Sequence, residues 1–312
     1  MPARPLHALW RRFDHPALER FVGAADVVHG TNFVVPPTAH ATTVVSVHDL
    51  TPVHHPELCN PATLAYPDLI RRALRRGAWV HTDSAFVAAE VVHAFGADPE
   101  RVRTVAPGVP DLPEVPEEQA AAVRARLLPG GTARYCLAIG TAEPRKDLPG
   151  LVRAFTAAAA RQADAALVLA GPEGWGEDEL QRALDASPVR DRIVRTGWVE
   201  PQELAALLRG AHVLAYPSRY EGFGFPPLQA MRAGVPVVAT AVGSLPEVLG
   251  DGALMVEPGD QDGLAGALAG CLDDEGLRSR LIAAGESWVR RFSWARCGAE
   301  LEQLYRDARR GV

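Results

Sequence analysis

The sequence predicts an α/β protein of two domains, each on a doubly wound parallel sheet, with the N-terminal domain incomplete. Three observations predict it. Strand-like apolar runs alternate with helical patterns, and strands spaced by whole helices join through right-handed crossovers into parallel sheets. The run Pro107-Gly-Val-Pro-Asp-Leu-Pro-Glu-Val-Pro116 breaks that alternation, because its prolines continue neither a sheet nor a helix. A chain of 312 residues also suits about two domains.

The second half shows the alternation best. Its strands are expected at Tyr135–Ile139, Ala165–Ala170, Ile193–Val199, His212–Tyr216 and Pro236–Ala241. The first half is thinner: a helix-like opening over Leu6–Phe21, then strands at Asp26–His29, Thr43–His48, Trp79–Thr82 and Val102–Val105. A complete doubly wound half has about six strands, the first leading into a glycine-rich turn. No such strand precedes Leu6–Phe21, so either this sheet is small or the chain starts late. Residues 1–108 are taken as the first domain, 109–118 as a linker and 119–292 as the second domain. Residues 293–312 form a final helix expected to pack back towards the first domain, with Trp294, Leu301, Leu304 and Tyr305 on one side.

Composition excludes several classes. At 47% hydrophobic and 22% charged residues the chain buries a sizeable core, which excludes disorder. No apolar run reaches the roughly 18 residues of a membrane span. Arg4, Arg11 and Arg12 interrupt the first twenty residues, so no secretory signal is seen. A net charge of −6 argues against nucleic acid as a partner. Cys59, Cys136, Cys271 and Cys297 are scattered and read as reduced thiols, hence a cytoplasmic protein, either free or at the inner face of a membrane.

Residues suited to chemistry fall in three groups. Nine of ten histidines lie in the first 93 residues, and His29, His48 and His81 each close an expected strand. Strand ends line the ligand crevice of an open parallel sheet, so these imidazoles either converge there with Asp49 and Asp83 or simply terminate strands. No H-E-x-x-H or comparable spacing supports zinc, and no metal site is expected.

The second group, Gly140-Thr-Ala-Glu-Pro-Arg-Lys-Asp-Leu148, leaves a strand and opens a helix that Asp147 is expected to cap. Arg145 and Lys146, the latter the one lysine among 32 basic residues, suit a diphosphate beside the helix N-terminus. The plainer reading is an exposed basic pair on a turn. The third group is Ser218-Arg-Tyr-Glu-Gly-Phe-Gly-Phe-Pro-Pro-Leu-Gln229. Gly222 and Gly224 permit a tight loop holding Glu221, then Pro226 and Pro227 begin a helix that Gly234 ends. A carboxylate beside phosphate-binding amides suits a nucleotide sugar. A short helix also carries Arg71, Arg72, Arg75 and Arg76, either a solvated face or a dock for anionic lipid.

Together these blocks resemble a retaining glycosyltransferase of family 4, of mannosyltransferase-like form, from about Ala24 to the C-terminus. Tyr216 to Val238 is the most specific match, followed by Gly140 to Lys146, Ser46-Val-His-Asp-Leu50 and Gly243-Ser-Leu-Pro-Glu-Val248. The resemblance implies GT-B architecture, two Rossmann-like domains facing across a cleft, and transfer of a hexose, mannose on GDP by first guess, to a hydroxyl of a glycan or lipid-linked acceptor. It implies that Arg145 and Lys146 hold the donor diphosphate and that Glu221 contacts the sugar hydroxyls. Gly140 and the amides of Gly222, Phe223 and Gly224 would approach sugar and phosphate. Val199 would border the base, and His48 would reach the sugar and β-phosphate. His29, Asp49 and His81 fall on the acceptor side. Cofactors are none beyond the nucleotide-sugar substrate, with peripheral membrane contact a further possibility.

Two departures accompany the resemblance. Gln229 stands where the family carries a second glutamate for the ribose hydroxyls, and the expected opening strand is missing, which would leave Asp26–His29 as a sheet edge. Other activities compatible with the pattern are a nucleotide-sugar epimerase and a non-catalytic nucleotide-sugar binder. Replacing Lys146 or Glu221 by alanine is expected to abolish transfer with the fold intact.

Overall fold

The computed structural model describes Trp10 and residues 13–128, 134–162 and 164–311. The chain divides into two compact units, Met1–Gly108 with Phe292–Val312, and Val109–Arg291.

The first unit carries helices α1 (Glu19–Val22), α2 (Thr51–His54), α3 (Tyr66–Arg75) and α4 (Ala85–Phe95). Its strands are β1 (Val27–Gly30), β2 (Thr42–Val47), β3 (Trp79–Thr82) and β4 (Val102–Thr104). They form one parallel sheet in the order β1-β2-β3-β4, so β1 is an edge. Every strand expected here is present to within a residue or two.

The expected opening helix differs. Residues 6–9, 11 and 12 of Leu6–Phe21 lie outside the described residues, as does Arg4, and from Phe13 onward helix begins only at Glu19. Pro16 restrains the residue before it from helical backbone. The Glu19 carboxylate is committed elsewhere: it accepts from the backbone N–H groups of Ala39, His40 and Ala41 at 3.0, 3.0 and 3.1 Å. Those bonds hold its pKa down to about 2.

The second unit contains α5 (Glu117–Leu127), β5 (Arg134–Ile139), α6 (Leu148–Ala158), β6 (Ala165–Ala170), α7 (Glu177–Asp185) and β7 (Ile193–Gly197). It continues with α8 (Pro201–Gly210), β8 (Val213–Tyr216), α9 (Phe225–Arg232), β9 (Val237–Thr240) and α10 (Leu245–Leu249). It ends with β10 (Leu254–Val256), α11 (Gln261–Asp273) and α12 (Glu275–Val289). The six strands are parallel in the order β10-β9-β8-β5-β6-β7. The chain therefore winds outward from β5 through β6 and β7, then restarts on the other side of β5 with β8. β10, which the apolar runs did not reveal, is a three-residue edge strand. Phe155 and Leu151 of α6 are fully buried against β5 and β6; side chains of this kind each contribute about 1.5–3 kcal/mol.

Helix α13 (Trp294–Arg310) belongs to the first unit. Because strand side chains alternate, Val45 and Val47 of β2 join one core while Val44 joins another with Trp79, Leu304 and Ala308. Leu301 and Tyr305 complete the packing of α13 there. Trp294, expected on the same side, is 54% exposed. Its backbone crosses Gly108, where a Cβ would lie 2.4 Å from the Trp294 nitrogen.

The stretch read as a linker is strapped to the second unit. Arg232 Nη1 donates to Val109 O at 2.6 Å and to Asp111 at 2.7 Å. Arg209 donates to Val115 O, and Val115 packs with Ala120, Ala205 and Ala206.

Candidate active site

Topology places the site. β5 and β8 are the adjacent strands from which the second sheet winds in opposite directions, and ligands of such sheets bind beyond the carboxyl ends at this switch point. The loop after β5 carries Gly140, Arg145 and Lys146, and the loop after β8 carries Glu221 to Gly224.

The structure brings Arg145, Lys146 and Glu221 together. Arg145 Nη1 donates to Glu221 Oε2 at 2.5 Å and to Tyr220 O at 3.2 Å, and its Nη2 donates to Glu143 at 2.7 Å. Lys146 Nζ donates to Glu221 Oε1 and to the Tyr216 hydroxyl, both at 2.6 Å. It sits 4.6 Å from the Tyr216 ring centroid, a cation–π distance. Ser218 Oγ also donates to Glu221 Oε1, at 2.7 Å. Two cations and two carboxylates thus form a compact, internally compensated cluster.

Backbone contacts lock the loops. Arg219 N donates to Arg145 O at 2.8 Å, and Ser244 N to Glu221 O at 2.9 Å. Gly243 must be glycine: its φ is +55° and a Cβ would lie 2.3 Å from Glu221 O. Beside β5, Gly171 has φ +154°, and a Cβ would lie 2.0 Å from Gly140 O.

Electrostatics follow from burial. Desolvation pushes the Glu221 carboxyl up, yet Lys146, Arg145 and the Ser218 hydroxyl outweigh it and hold the pKa at about 2. Burial pulls Lys146 below the ordinary ammonium range, which Glu221 only partly offsets. Burial and the neighbouring Glu221 charge raise Tyr216 well above its usual value, so it stays a neutral phenol.

Asp147 does not cap its helix as expected. It has left-handed backbone, φ +46° and ψ +41°, and makes no side-chain cap bond; its carboxylate accepts from Arg219 Nη2 at 2.9 Å. Gly140, Gly222, Phe223, Gly224 and Val199 all follow strands at the carboxyl edge of the sheet, Val199 beyond β7. Gly222, Phe223 and Gly224 are buried. The Phe223 ring packs edge-on to Phe225 at 5.2 Å. Gln229 lies in α9, half-buried.

The histidines of the first unit lie close to one another and to Asp83, each held by protein partners. His48 Nδ1 bonds Asp83 Oδ2 at 2.7 Å and its Nε2 bonds Thr31 O at 2.8 Å. His81 Nε2 donates to Val105 O at 3.0 Å, so its Nδ1 accepts from Ser46 Oγ at 2.8 Å. Ser46 in turn accepts from His29 Nε2 at 2.8 Å, leaving His29 Nδ1 to accept from the Tyr305 hydroxyl at 2.7 Å. Every ring nitrogen of His29 and His81 is therefore taken by a protein partner, in a relay tying β1, β2, β3 and α13 together. Desolvation lowers both, His29 to about 4, so both are neutral. Asp49 accepts from Thr51 N at 2.9 Å, just ahead of α2.

Sequence reading did not single out Tyr216, Ser218, Glu143 or Tyr305. Ser218 and Tyr216 were within the quoted motif, but nothing local signals that they meet Lys146 and Glu221. The arginines of α3 are largely used: Arg72 and Arg76 bond Asp14 at 2.6 and 2.9 Å, and Arg71 bonds Asp68 at 3.0 Å. Among the described residues no helix is long and apolar enough to cross a membrane, and no group of three or more His, Cys, Asp or Glu is placed to hold a metal ion.

The second unit is thus a doubly wound parallel α/β sheet with a cation–carboxylate cluster at its switch point, and comparison with known proteins gives the class. Residues 120–288 match the family model of glycosyl transferases group 1. The chain is 31% identical over 284 residues to O-antigen chain mannosyltransferase B of Escherichia coli, covering 90% of this chain and 74% of that protein. It is 32% identical over 229 residues to D-inositol 3-phosphate glycosyltransferase of Corynebacterium glutamicum, covering 70% of this chain and 54% of that protein. The chain thus spans about half the length of the inositol phosphate glycosyltransferases it resembles.

Among solved structures, sucrose-phosphate synthase from Thermosynechococcus elongatus superposes with a TM-score of 0.78 at 21% identity, over 100% of this chain and 81% of that one. Anabaena HepE, solved with UDP and glucose, superposes with a TM-score of 0.73 at 19% identity, over 84% and 71%. These likenesses establish the fold, two Rossmann-like parallel-sheet domains of the GT-B glycosyltransferases. The chain belongs to the glycosyl transferases group 1 family and is a glycosyltransferase.

Proposed function

We propose that this glycosyltransferase moves a hexose, with retention at the anomeric carbon, from a nucleoside-diphosphate sugar to a hydroxyl of a glycan or lipid-linked acceptor. The observation that supports it best is the Arg145–Glu221–Lys146 cluster at the β5/β8 switch point. The donor diphosphate is an anion that competes with Glu221 for the two cations. Once it binds, Arg145 and Lys146 neutralise the charge that grows on the leaving phosphate, a stabilisation strongest in the transition state. Glu221, partly released, accepts hydrogen bonds from the sugar hydroxyls.

The bond from the anomeric carbon to the β-phosphate oxygen breaks as the acceptor oxygen bonds to the same face. The acceptor proton passes to the departing phosphate, so charge and protons balance without another base. The Escherichia coli relative transfers mannose by its name, which favours GDP-mannose as donor here. Val199 borders the base and Gln229 the ribose.

Calorimetry with GDP and UDP tests the site. The wild-type chain is expected to bind one of them at a single site, and Lys146→Ala to weaken it about 10²–10³-fold, the effect of losing a buried charge-assisted contact. Equal affinity in the variant, or no binding of either nucleotide to the wild type, would place the site elsewhere. GDP-mannose consumed without acceptor to yield a stereoisomer would instead identify an epimerase.

A further inference from the structure

We infer that Asp83 is a positioning residue that keeps His48 in its doubly protonated, cationic form, so that His48 serves the transfer as a fixed charged donor and not as a base. The inference rests on the sugar transfer proposed above, in which the family resemblance gives His48 its part, but its charge state stands on geometry alone. His48 Nδ1 lies 2.7 Å from Asp83 Oδ2, and Nε2 lies 2.8 Å from the Thr31 carbonyl oxygen. A carboxylate and a carbonyl only accept. Both ring nitrogens must therefore carry hydrogen.

His81, 33 residues further along, shows the contrast. One of its partners is the Ser46 hydroxyl, which can donate, so a neutral ring satisfies it fully. His48 has no such partner. The groups facing it are the Asp83 and Asp49 carboxylates and the neutral imidazoles of His29 and His81. Phe33 packs edge-on to the ring at 5.5 Å, and Cys297 from α13 senses Asp83. With the Asp83 side chain only 10% exposed and that of His48 38% exposed, the carboxylate is the buried anchor and the imidazolium its outward partner.

The Thr31 carbonyl marks where an anion would be received. Thr31 belongs to a loop that Phe33 holds in left-handed backbone, φ +58°, with the Phe33 ring stacked on Tyr66 at 4.4 Å. An oxygen of the transferring group that replaces the carbonyl on Nε2 would gain a charge-assisted hydrogen bond.

Nitrogen NMR of the full chain labelled with ¹⁵N-histidine tests this without substrate, the His48 signals being assigned by their loss in His48→Gln. At pH 7 both wild-type His48 nitrogens are expected at protonated-imidazole shifts, with a titration midpoint above the ordinary 6.5. In Asp83→Asn the midpoint should fall by at least about one unit, tenfold in proton affinity. The alkaline limb of GDP release from GDP-mannose should move to lower pH with it. A neutral His48 at pH 7 in the wild type overturns the inference whether or not the variant folds; so does an unmoved midpoint in a folded Asp83→Asn. If the NMR result holds but His48→Gln releases GDP at the wild-type rate, the charge assignment stands and it is His48's part in transfer that fails.

Discussion

At the ends of β5 and β8, two cations and two carboxylates are pressed into contact. At the ends of β1, β2 and β3 the polar groups are three imidazoles, two hydroxyls and one carboxylate. The first cluster is satisfied by charge against charge, and in the function proposed here its anion, Glu221, is the side chain that a ligand's phosphates replace. The second is satisfied mostly by neutral donors and acceptors in sequence, and no single member can leave without orphaning the next. A compensated ion cluster with an exchangeable member suits ligand binding, whereas a closed relay of neutral groups suits holding strands and a helix in register. His48 is where the two designs meet: it belongs to the histidine row, but its partners make it a charge.

Glu221→Gln breaks this comparison most directly. The substitution keeps the shape of the side chain and removes its charge, so that Arg145 keeps its Glu143 ion pair and Lys146 loses its carboxylate partner. Breaking a buried ion pair costs about 3–5 kcal/mol, so thermal unfolding should shift down by several degrees. Inorganic pyrophosphate should bind the variant more tightly than wild type, because no internal anion competes, and should restore much of the lost melting temperature. The sign with pH follows from a pKa lowered from 4.5 to about 2. The Glu221 contribution is whole above pH 4.5 and is lost as pH falls towards 2. The gap between wild type and variant should accordingly close only in strong acid. Equal melting temperatures at neutral pH would mean the cluster is not stabilising and that the comparison is wrong.

Ser46→Ala tests the other side. It removes the donor to His81 Nδ1 and the acceptor for His29 Nε2 at a site where Ser46 is 2% exposed. The cost should be about 2–3 kcal/mol in urea unfolding, with pyrophosphate affinity unchanged. The relay also predicts acid sensitivity. With the His29 pKa lowered from 6.5 to about 4, the unfolded chain takes up a proton between those values that the native one refuses. Wild-type stability from this group is full above pH 6.5 and declines as pH falls towards 4. A flat profile over that range would show that His29 is not held neutral.

Much of this was legible in sequence, for identifiable reasons. The strands announced themselves because buried parallel strands are continuous apolar runs. β10 did not, since three residues at a sheet edge carry too little pattern. The Arg145–Lys146 pair was readable because its members are adjacent and follow a strand. That Glu221 bridges both was not, because 75 residues separate it from Lys146 and only the strand order makes their loops neighbours. Asp147 misled for the converse reason: residue type favours a cap, but Arg219, reached through tertiary structure, outcompetes the local bond. The histidines were found by position, but their partners were not. Ending a strand says nothing of partners, and one partner of His29, Tyr305, is 276 residues away.

The smallest expected effect separates the cation cluster from the rest of the donor site. Gln229 lies in α9, the helix that follows the Glu221–Gly224 loop, and its neutral amide offers one accepting oxygen where a carboxylate offers two with charge. Arg232, one turn on, is already bonded to Val109 O and Asp111, so a glutamate at 229 would not be captured by it. Gln229→Glu should tighten GDP or UDP about three- to tenfold, the difference between a neutral and a charge-assisted hydrogen bond to a ribose hydroxyl. Inorganic pyrophosphate has no ribose and should bind the variant no better, or slightly worse from the added negative charge. Calorimetry with both ligands makes the reading specific. A gain for nucleotide alone assigns the ribose to α9. Unchanged or weaker nucleotide binding leaves Arg145 and Lys146 as the anchor and removes Gln229 from the site.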